Sequence, residues 1–262
     1  MFYKLNDNNL IAHIEKCGCE SVMLLVAKEN NIINHDNKVS IFDYDLVKFR
    51  IPNHKLHKYN NLNHIYIVRN PYKRLVSAYL GKVCIAHGYY KNRWKEYLRK
   101  NNFKVNYDDN LRISFEEFVN GIIKLDKNKL DNHLKPQYLF INKNNKNKTI
   151  LKLEDKDLNN KLKKKAGLTH NFISYNLWYH KHIKQEQPNA YKMYYNEFDV
   201  CEKRPNNERI RGDDHTPWHT GLEYTNAIVP KTSNFYNDDL KSKVYNYYYE
   251  DFIEFGYIKD TI

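Results

Sequence analysis

The stretch at residues 64–79 limits the fold more than any other part of the sequence. β-Branched and aromatic residues at 65–68 predict a short buried strand. The Asn-Pro pair at 70–71 ends it, because the residue before proline avoids the α conformation and proline suits a helix start. The helix that follows carries Ser77. Arg69 therefore lies at the carboxyl end of a predicted strand, the edge where open α/β sheets bind ligands.

Four basic or hydroxyl side chains occur close together in this stretch: Arg69, Lys73, Arg74 and Ser77. A helix N-terminus with cationic neighbours favours anions, so the pattern predicts a phosphate-binding strand-turn-helix. A buried strand-turn-helix with an ordinary solvated basic face would show the same pattern. The stretch by itself leaves both interpretations open.

A second strand-loop-helix is predicted near the start of the sequence. Residues 10–14 predict a strand, 16–19 a tight turn and 20–29 a helix. Such a loop can hold a phosphate with backbone N–H groups, and Lys16 adds a cation. The full Walker pattern G-x-x-x-x-G-K-[ST] is absent, which weighs against a kinase-like or nucleotide-hydrolysing P-loop enzyme.

The 262-residue chain is long enough for one large α/β domain or two small ones. Its hydrophobic content of 41% suffices for a packed core. The net charge of +12 and the pI near 9.2 indicate an anionic partner: a nucleic acid, an acidic polysaccharide, a membrane surface or a nucleotide. A general bias towards Lys, Asn, Ile and Tyr explains part of this charge, so charge alone does not choose among these partners.

The four cysteines are too few and too scattered for a disulfide scaffold. The Cys17-x-Cys19 pair has no second pair at zinc-ligand spacing. Two histidine pairs, at residues 180 and 182 and at 215 and 219, lack a spaced carboxylate or cysteine partner. We therefore expect no metal site.

The N-terminal region lacks the basic and apolar segments of a signal peptide. Its longest apolar run, at residues 22–27, is too short to cross a membrane. We therefore expect a cytoplasmic or otherwise soluble protein without a membrane span, rather than a domain trimmed from an anchored protein.

Residues 68–79 resemble the 3′-phosphate-binding motif of sulfotransferases that use 3′-phosphoadenosine 5′-phosphosulfate (PAPS). The resemblance is to the carbohydrate branch of the family, which includes the heparan and chondroitin enzymes. In that family an arginine and a serine hold the 3′-phosphate of the donor. The resemblance implies that Arg69 and Ser77 do so here.

Residues 15–21 resemble the 5′-phosphosulfate loop of the same family, whose pattern is close to Pro-Lys-x-Gly-Cys-Thr-Ser. Four positions match this pattern and are implied to bind the donor: Lys16, Gly18, Cys19 and Ser21. Glu15 stands in place of the proline and Glu20 in place of the threonine. An acidic side chain at residue 20 repels a 5′-phosphate unless it points away or is paired.

Several other segments resemble the family, in family order. Residues 133–137 match a His-Trp-x-Pro-Gln signature with Leu134 in place of the aromatic residue, and 152–154 match a strand end that carries Glu154. Residues 244–257 are similar to the terminal helix of the family. The resemblance implies an α/β, P-loop-like sulfotransferase fold with a central, mostly parallel sheet flanked by helices. We expect residues 1–262 to form a single domain, with an irregular acceptor-side segment at about 169–235.

Local patterns predict the remaining elements. Strands are expected at 39–42, 46–49 and 149–153, and helices at 89–100, 157–168 and 240–255. Ser114 and Glu117 have capping-box spacing at the start of a further helix. Gly256 is suited to a helix C-cap. Before the last helix, Asn226 and residues 231–233 are loosely placed candidates for donor contacts.

The general base is expected to be a histidine, because an imidazole with a pKa near about 6.5 can accept a hydroxyl proton at neutral pH. In several sulfotransferase branches this histidine precedes the strand that carries the 3′-phosphate arginine, and His54 occupies roughly that place. His57 and His133 remain alternatives. His133 has two interpretations, one near the acceptor and one as a structural part of its turn.

The resemblance implies transfer of a sulfuryl group from PAPS to a hydroxyl acceptor, with PAP as the product. Lys16 would neutralise charge on the bridging oxygen as the nucleotide leaves. A saccharide is the favoured acceptor, while lipids, small alcohols and tyrosyl peptides stay open. No metal and no specific nucleic acid are expected. The alternative is a non-catalytic basic module that binds acidic glycans or nucleic acid.

Overall fold

The computed structural model describes residues 1–33, 46–84, 88–103, 113–172 and 230–262. The chain divides into two compact units. The first unit comprises Met1–Ala78, Ile123–Tyr175 and Lys241–Ile262, and the second comprises Tyr79–Ile122 and Asn176–Leu240. Among the described residues, no helix is long and apolar enough to cross a membrane.

The first unit is built on a five-stranded sheet with the order β3-β1-β2-β4-β5. The strands are β1 (Phe2–Asn6), β2 (Asn9–Ala12), β3 (Arg50–Ile51), β4 (Asn63–Val68) and β5 (Lys148–Lys152). The helices of the described chain are α1 (Cys19–Glu29), α2 (Pro71–Tyr79), α3 (Gly88–Lys100), α4 (Phe115–Ile122), α5 (Leu158–Ala166), α6 (Asp238–Tyr247) and α7 (Tyr249–Glu254). Shorter 3₁₀ segments lie at Val47–Phe49, Asn53–Tyr59, Gln137–Phe140 and Thr232–Phe235, and a π-helical segment lies at Leu80–Cys84.

The sheet is mixed rather than mostly parallel. Strand β4 pairs in parallel with both β2 and β5, whereas β1 is antiparallel to both β2 and β3. The expectation of a mostly parallel sheet is therefore correct only for the half that contains β2, β4 and β5. The difference arises from β1, a strand that we did not predict. It forms a tight hairpin with β2, in which Asn6 is opposite Asn9.

The two faces of the sheet have separate cores. Alternate strand residues such as Ile11, Ile65 and Ile67 pack against α1 and α5. Their neighbours, including Tyr66 and Val68, face the opposite side and pack with Phe255 of the chain end. The strand-turn-helix predicted at residues 64–79 and the strand-loop-helix predicted at 10–29 are both present.

Two predicted elements differ in the structure. Residues 46–49 are not a strand: a 3₁₀ segment occupies Val47–Phe49, and β3 begins at Arg50. The strand predicted at 39–42 lies outside the described residues. The single helix predicted at 240–255 is broken between α6 and α7 at Tyr248, whose hydroxyl donates a hydrogen bond of 2.7 Å to the Leu134 carbonyl. A tertiary contact thus overrides a locally helical pattern.

The predicted C-cap at Gly256 is confirmed. Gly256 has a φ of 60°, in the left-handed region that glycine adopts at little cost. The N–H of Tyr257 donates to the Phe252 carbonyl at 2.9 Å, which is the hydrogen bond of a Schellman motif.

The second unit has an aromatic core of its own. Tyr79 packs against Phe115, Phe118 and Phe235, with ring centroids 5.3–6.2 Å apart. The predicted capping box is confirmed, because the Glu117 carboxylate accepts from the Ser114 N–H at 2.8 Å and the Glu117 N–H donates to the Ser114 hydroxyl at 3.2 Å.

Candidate donor-binding site

The carboxyl ends of the parallel strands bring the two sequence motifs to one edge of the sheet. In the registry of the sheet, Ile11 lies beside Ile65, and Val68 lies beside Lys152. The segments that leave β2, β4 and β5 therefore start next to one another. Below, the 5′ loop means residues 15–21 and the 3′ arm means residues 68–79, which run from the end of β4 through α2.

The 5′ loop has a backbone shape suited to an anion. Lys16 and Gly18 are both left-handed, with φ values of 66° and 77°. Gly18 is the N-cap of α1 and supplies no side-chain hydrogen bond. The first helical hydrogen bond is the one from the Val22 N–H to the Gly18 carbonyl at 2.9 Å. The earlier N–H groups of α1 must therefore find partners outside the helical ladder, as in anion sites at helix N-termini.

The interior closely surrounds Gly18. A Cβ atom there would lie 3.1 Å from the Phe172 ring and 3.3 Å from Leu153. Both the left-handed φ and this packing require glycine at residue 18. Gly18 therefore determines the backbone conformation of the 5′ loop at the end of β2.

The two motifs meet at Arg69. Its guanidinium Nη1 donates to the Lys16 carbonyl at 3.2 Å, so the first residue after β4 touches the 5′ loop directly. The two segments that the sequence links to the two ends of the donor are thus in contact.

Gln137 links the same two segments through its side chain. Its Oε1 accepts from the Arg69 N–H at 2.8 Å, and its Nε2 donates to the Arg69 carbonyl at 2.8 Å. The Cys17 thiol donates to the same Oε1 at 3.0 Å. Gln137 is fully buried, so these hydrogen bonds are shielded from water.

Asp251 holds Gln137 in place from α7. Its two carboxylate oxygens accept from the N–H groups of Gln137 and Tyr138, each at 2.8 Å. Burial raises the pKa of Asp251, while these hydrogen bonds act in the opposite direction. The terminal helix therefore contributes to the geometry of the donor edge as well as to packing.

Arg74 holds the backbone of the 5′ loop from the protein interior and does not face a ligand. Its guanidinium is buried and donates to three carbonyls: Glu15 at 3.0 Å, Lys135 at 2.8 Å and Asn132 at 3.0 Å. The four groups that the sequence places together in the 3′ arm thus have different uses. Arg74 fixes backbone, and Arg69 lies at the edge itself.

Ser77 lies on α2 and is only 5% exposed. Within the described ranges, the Ser77 hydroxyl makes no hydrogen bond to the protein. It can therefore form a hydrogen bond with a ligand. Asn70 begins the helix below it, because its Oδ1 accepts from the Tyr72 N–H at 2.9 Å.

Glu154 is a positioning residue for the 3′ arm. One carboxylate oxygen accepts from the Asn70 N–H at 3.0 Å, and the other accepts from the Tyr257 hydroxyl at 3.1 Å. Burial and this neighbouring carboxylate raise the pKa of Tyr257, so its hydroxyl remains a donor.

The candidate bases occupy different surroundings. His133 is held at Nδ1 by Asp131 Oδ1 at 2.6 Å, and its Nε2 lies 3.5 Å from Glu15 Oε2. His54 is exposed on the 3₁₀ segment after β3, where His57 Nδ1 lies 3.0 Å from its carbonyl. Registry places the end of β3 at the same sheet edge as the 5′ loop, since Phe2 is opposite both Ile51 and Ala12.

His54 lines a separate pocket of about 370 Å³, together with Met1 and residues 50–53. Its side chain makes no hydrogen bond or ion pair with any described part of the 5′ loop or the 3′ arm. Other candidates from the sequence lie outside the described residues: the histidines at 180, 182, 215 and 219, and Asn226.

Burial keeps the thiols of Cys17 and Cys19 protonated and is the main reason why the pKa of each is raised to about 12. At Cys19 the carboxylates of Glu15 and Glu20 act in the same direction, while Lys16 acts against them. Glu20 is thus close to the Cys19 side chain.

Sequence reasoning did not assign the supporting roles of Arg74 and Asp251, nor the grouping of His13, Glu15 and Cys19. The His-x-Glu-x-x-x-Cys spacing was visible in the sequence. The long-range partners of Arg74 and Asp251 had no local signal.

Comparison with family models finds that residues 1–258 match the sulfotransferase family. Neither the comparison with curated proteins nor that with solved structures gave a significant match. The family match covers nearly the whole chain. This protein therefore belongs to the sulfotransferase family, whose members transfer a sulfuryl group from a sulfate donor to an acceptor.

Proposed function

We propose that this protein transfers the sulfuryl group of PAPS to a hydroxyl of a saccharide, within one functional domain that spans residues 1–262. The observation that carries the proposal is the contact between Arg69 and the Lys16 carbonyl at 3.2 Å. It joins the two motifs whose separate matches suggest the two phosphate ends of this donor.

The residues at the carboxyl edge of the parallel strands suit PAPS as the sulfate donor. Ser77 carries a hydroxyl on α2, and Arg69 lies at the end of β4, so both suit a phosphate at the 3′ arm. On the other side, the left-handed Lys16 and Gly18 and the first turn of α1, with Cys19 and Ser21, suit the phosphosulfate.

Lys16 has a chemical role beyond binding. PAPS supplies an activated sulfuryl group, and PAP leaves with additional negative charge at the 5′-phosphate. The Lys16 ammonium stabilises that charge as it develops, which lowers the barrier to transfer.

We assign the general base to His133 in preference to His54. Asp131 fixes its Nδ1 at 2.6 Å and so leaves Nε2 to face the loop that begins at Glu15. A histidine whose tautomer and ring orientation are set by a carboxylate is a common arrangement for proton transfer. His54 remains the alternative, because β3 ends at the same edge.

The saccharide acceptor rests on the resemblance of residues 15–21 and 68–79 to the carbohydrate branch, and the net charge of +12 is compatible with an acidic glycan. The acceptor side is assigned to the segment at about 169–235, most of which lies outside the described residues.

The first test is a thermal shift with PAP on the whole protein. PAP raises the melting temperature of the wild type by mass action and does not raise that of Arg69→Ala. Lys73→Ala, which removes another basic side chain of the same 3′ arm, is the matched control and keeps the shift. Absence of any PAP effect, together with binding of heparin-like chains or DNA, would favour the non-catalytic basic module.

The second test uses labelled PAPS and a panel of acceptors: desulfated glycans, a small alcohol, a lipid and a tyrosyl peptide. Label in a glycan supports the proposal, and label only in another class contradicts the saccharide assignment. His133→Gln should lower kcat by about 100-fold or more and remove the acidic limb of the pH–rate profile. If His54→Gln does so instead, the base is His54.

A further inference from the structure

We propose a binding site for a thiophilic divalent cation, with Zn²⁺ the best match, formed by four side chains beside the 5′ loop: His13, Glu15, Cys19 and His133. This inference concerns a ligand that neither the family match nor the proposed sulfuryl transfer requires. It also departs from the expectation from sequence, which examined only the cysteine and histidine spacings.

Three of the four ligand atoms already lie together. One donor atom each from His13, Glu15 and Cys19 is within 4.8 Å of the other two. Zinc–ligand bonds of about 2.0–2.3 Å in a tetrahedron place ligand atoms roughly 3.3–3.8 Å apart. Bringing these three atoms to that spacing requires them to approach one another by up to about 1.5 Å.

His133 is the fourth ligand in this proposal: its Nε2 lies close to Glu15, but it is not part of the group of three atoms within 4.8 Å of one another, so its ring must turn towards them. Both oxygens of Glu15 face an imidazole: Oε1 lies 3.9 Å from His13 Nδ1, and Oε2 lies 3.5 Å from His133 Nε2. The other ring nitrogen of His133 is held by Asp131 at 2.6 Å. A carboxylate on the far nitrogen of a ligating histidine is the usual outer contact of protein zinc sites.

The backbone under these side chains is rigid. The Arg74 guanidinium binds the carbonyls of Glu15 and Asn132 at 3.0 Å each, so one side chain fixes both segments that carry ligands. The N–H of Leu134 closes the His133 turn on the Asp131 carbonyl at 2.8 Å. The side chains themselves are mostly shielded, with exposed fractions of 11% for His13, 26% for Glu15 and 19% for His133.

The chemical types of the four proposed ligands determine which metal ion they bind. Two imidazoles, one thiol and one carboxylate are soft and borderline ligands, whereas Mg²⁺ and Ca²⁺ require oxygen ligands almost exclusively. Four ligands of this kind match tetrahedral Zn²⁺, and binding displaces the Cys19 thiol proton.

The test measures metal binding itself, without sulfuryl transfer. Metal-free full-length protein is titrated with Zn²⁺ in competition with a chelator, and with Co²⁺ under an absorption readout. We expect one equivalent of Zn²⁺ and, for Co²⁺, intense tetrahedral visible bands with a near-ultraviolet thiolate charge-transfer band. Cys19→Ser removes the charge-transfer band, and Asp131→Asn weakens Zn²⁺ binding by about tenfold or more.

The control variant is His57→Ala, which removes an exposed imidazole outside the cluster and leaves the titration unchanged. Should Cys19→Ser not fold, His13→Gln takes its place, with loss of one equivalent as the readout. Weak octahedral cobalt bands, no stoichiometric Zn²⁺ binding, or an unchanged charge-transfer band in Cys19→Ser would overturn the site.

A separate arm connects the site to the proposed function. If His133 is also the base, Zn²⁺ occupies its Nε2 and inhibits sulfuryl transfer. Stoichiometric binding without inhibition leaves the metal site intact and contradicts the assignment of His133 as base, so the two failures are distinguishable.

Discussion

The 3′ arm and the 5′ loop lie at the same sheet edge but are stabilised by different means. The 3′ arm begins from β4, which is hydrogen-bonded on both sides, and Asn70 caps its helix from the adjacent sequence. The 5′ loop contains two left-handed residues within three positions and depends on side chains that are distant in sequence. Three contacts to it come from elsewhere: those of Arg69, Arg74 and Gln137.

The 5′ loop therefore depends on the 3′ arm more than the 3′ arm depends on the 5′ loop. The 3′ arm supplies Arg69 and Arg74 to the 5′ loop, while the hydrogen bonds that begin α2 come from Asn70. Damage to the arm should therefore deform the loop, whereas damage to the loop should leave the arm folded. The following substitutions test this, from the largest expected effect to the smallest.

Arg74→Ala should cause the largest loss. It removes three charge-assisted hydrogen bonds and leaves the carbonyls of Glu15, Asn132 and Lys135 without this donor in a buried place. We expect a decrease of about 4 kcal/mol in the free energy of unfolding, measured by chemical denaturation. Lys73→Ala, one position earlier and half-buried, should change it by less than about 1 kcal/mol. Equal effects of the two variants would contradict the supporting role of Arg74.

Gln137→Leu should cost about 3 kcal/mol, because the Arg69 N–H and carbonyl lose their buried partner. It should also weaken PAP binding, since Arg69 and Cys17 are no longer linked. The control is Asn145→Leu, which removes a buried amide bonded to Leu62 and Asn147 at the other end of β4. Both variants lower stability, but only Gln137→Leu should weaken PAP binding in calorimetry. Parallel losses of PAP affinity would show that stability alone is responsible.

Gly18→Ala should cost about 2 kcal/mol, from left-handed strain of about 1 kcal/mol and from the close Phe172 and Leu153 contacts. Gly167→Ala is the matched control, because its φ is also left-handed and a Cβ there meets nothing within 4 Å. The control should cost about 1 kcal/mol. Thermal unfolding measures the difference, and PAP affinity should fall only for Gly18→Ala. If the two alanines cost the same, packing around the 5′ loop is looser than described.

The same comparison explains what the sequence could predict. The strand at 65–68, the proline-initiated helix and the capping box at Ser114 have local causes, so their positions follow from residue type and spacing. The break at Tyr248 and the hairpin of β1 have distant causes. Tyr248 leaves the helical path where it bonds Leu134, 114 residues away, and no local pattern encodes that contact.

At the candidate site, residue positions were predictable but the roles of side chains were not. Lys16 and Arg69 meet at one sheet edge because parallel strands align their carboxyl ends. Arg74 and Arg69 are both arginines of the 3′ arm, and the sequence did not distinguish their roles. In the structure the Arg74 guanidinium is buried and donates hydrogen bonds to three backbone carbonyls. His54 and His133 were not separated by spacing, because the carboxylate that orients His133 acts only through the folded turn.

Glu20 gives the smallest and most specific test of the 5′ loop. Glu20 follows Cys19 in the first turn of α1, and its carboxylate raises the pKa of the Cys19 thiol. A negative charge near a bound 5′-phosphate weakens binding by about 1 kcal/mol or less when both are solvated. Glu20→Gln should therefore tighten PAP binding by about three- to fivefold at low salt, with a smaller gain at high salt.

The matched control is Glu29→Gln at the opposite end of α1, whose carboxylate is bonded to Thr169 and His170. It changes the net charge equally and should leave PAP affinity unchanged, although it removes those hydrogen bonds. Calorimetric titration at two salt concentrations separates the local effect from the global one. An equal gain in both variants would mean that net charge attracts the nucleotide, whereas weaker binding in Glu20→Gln would mean that Glu20 holds the loop in its binding shape.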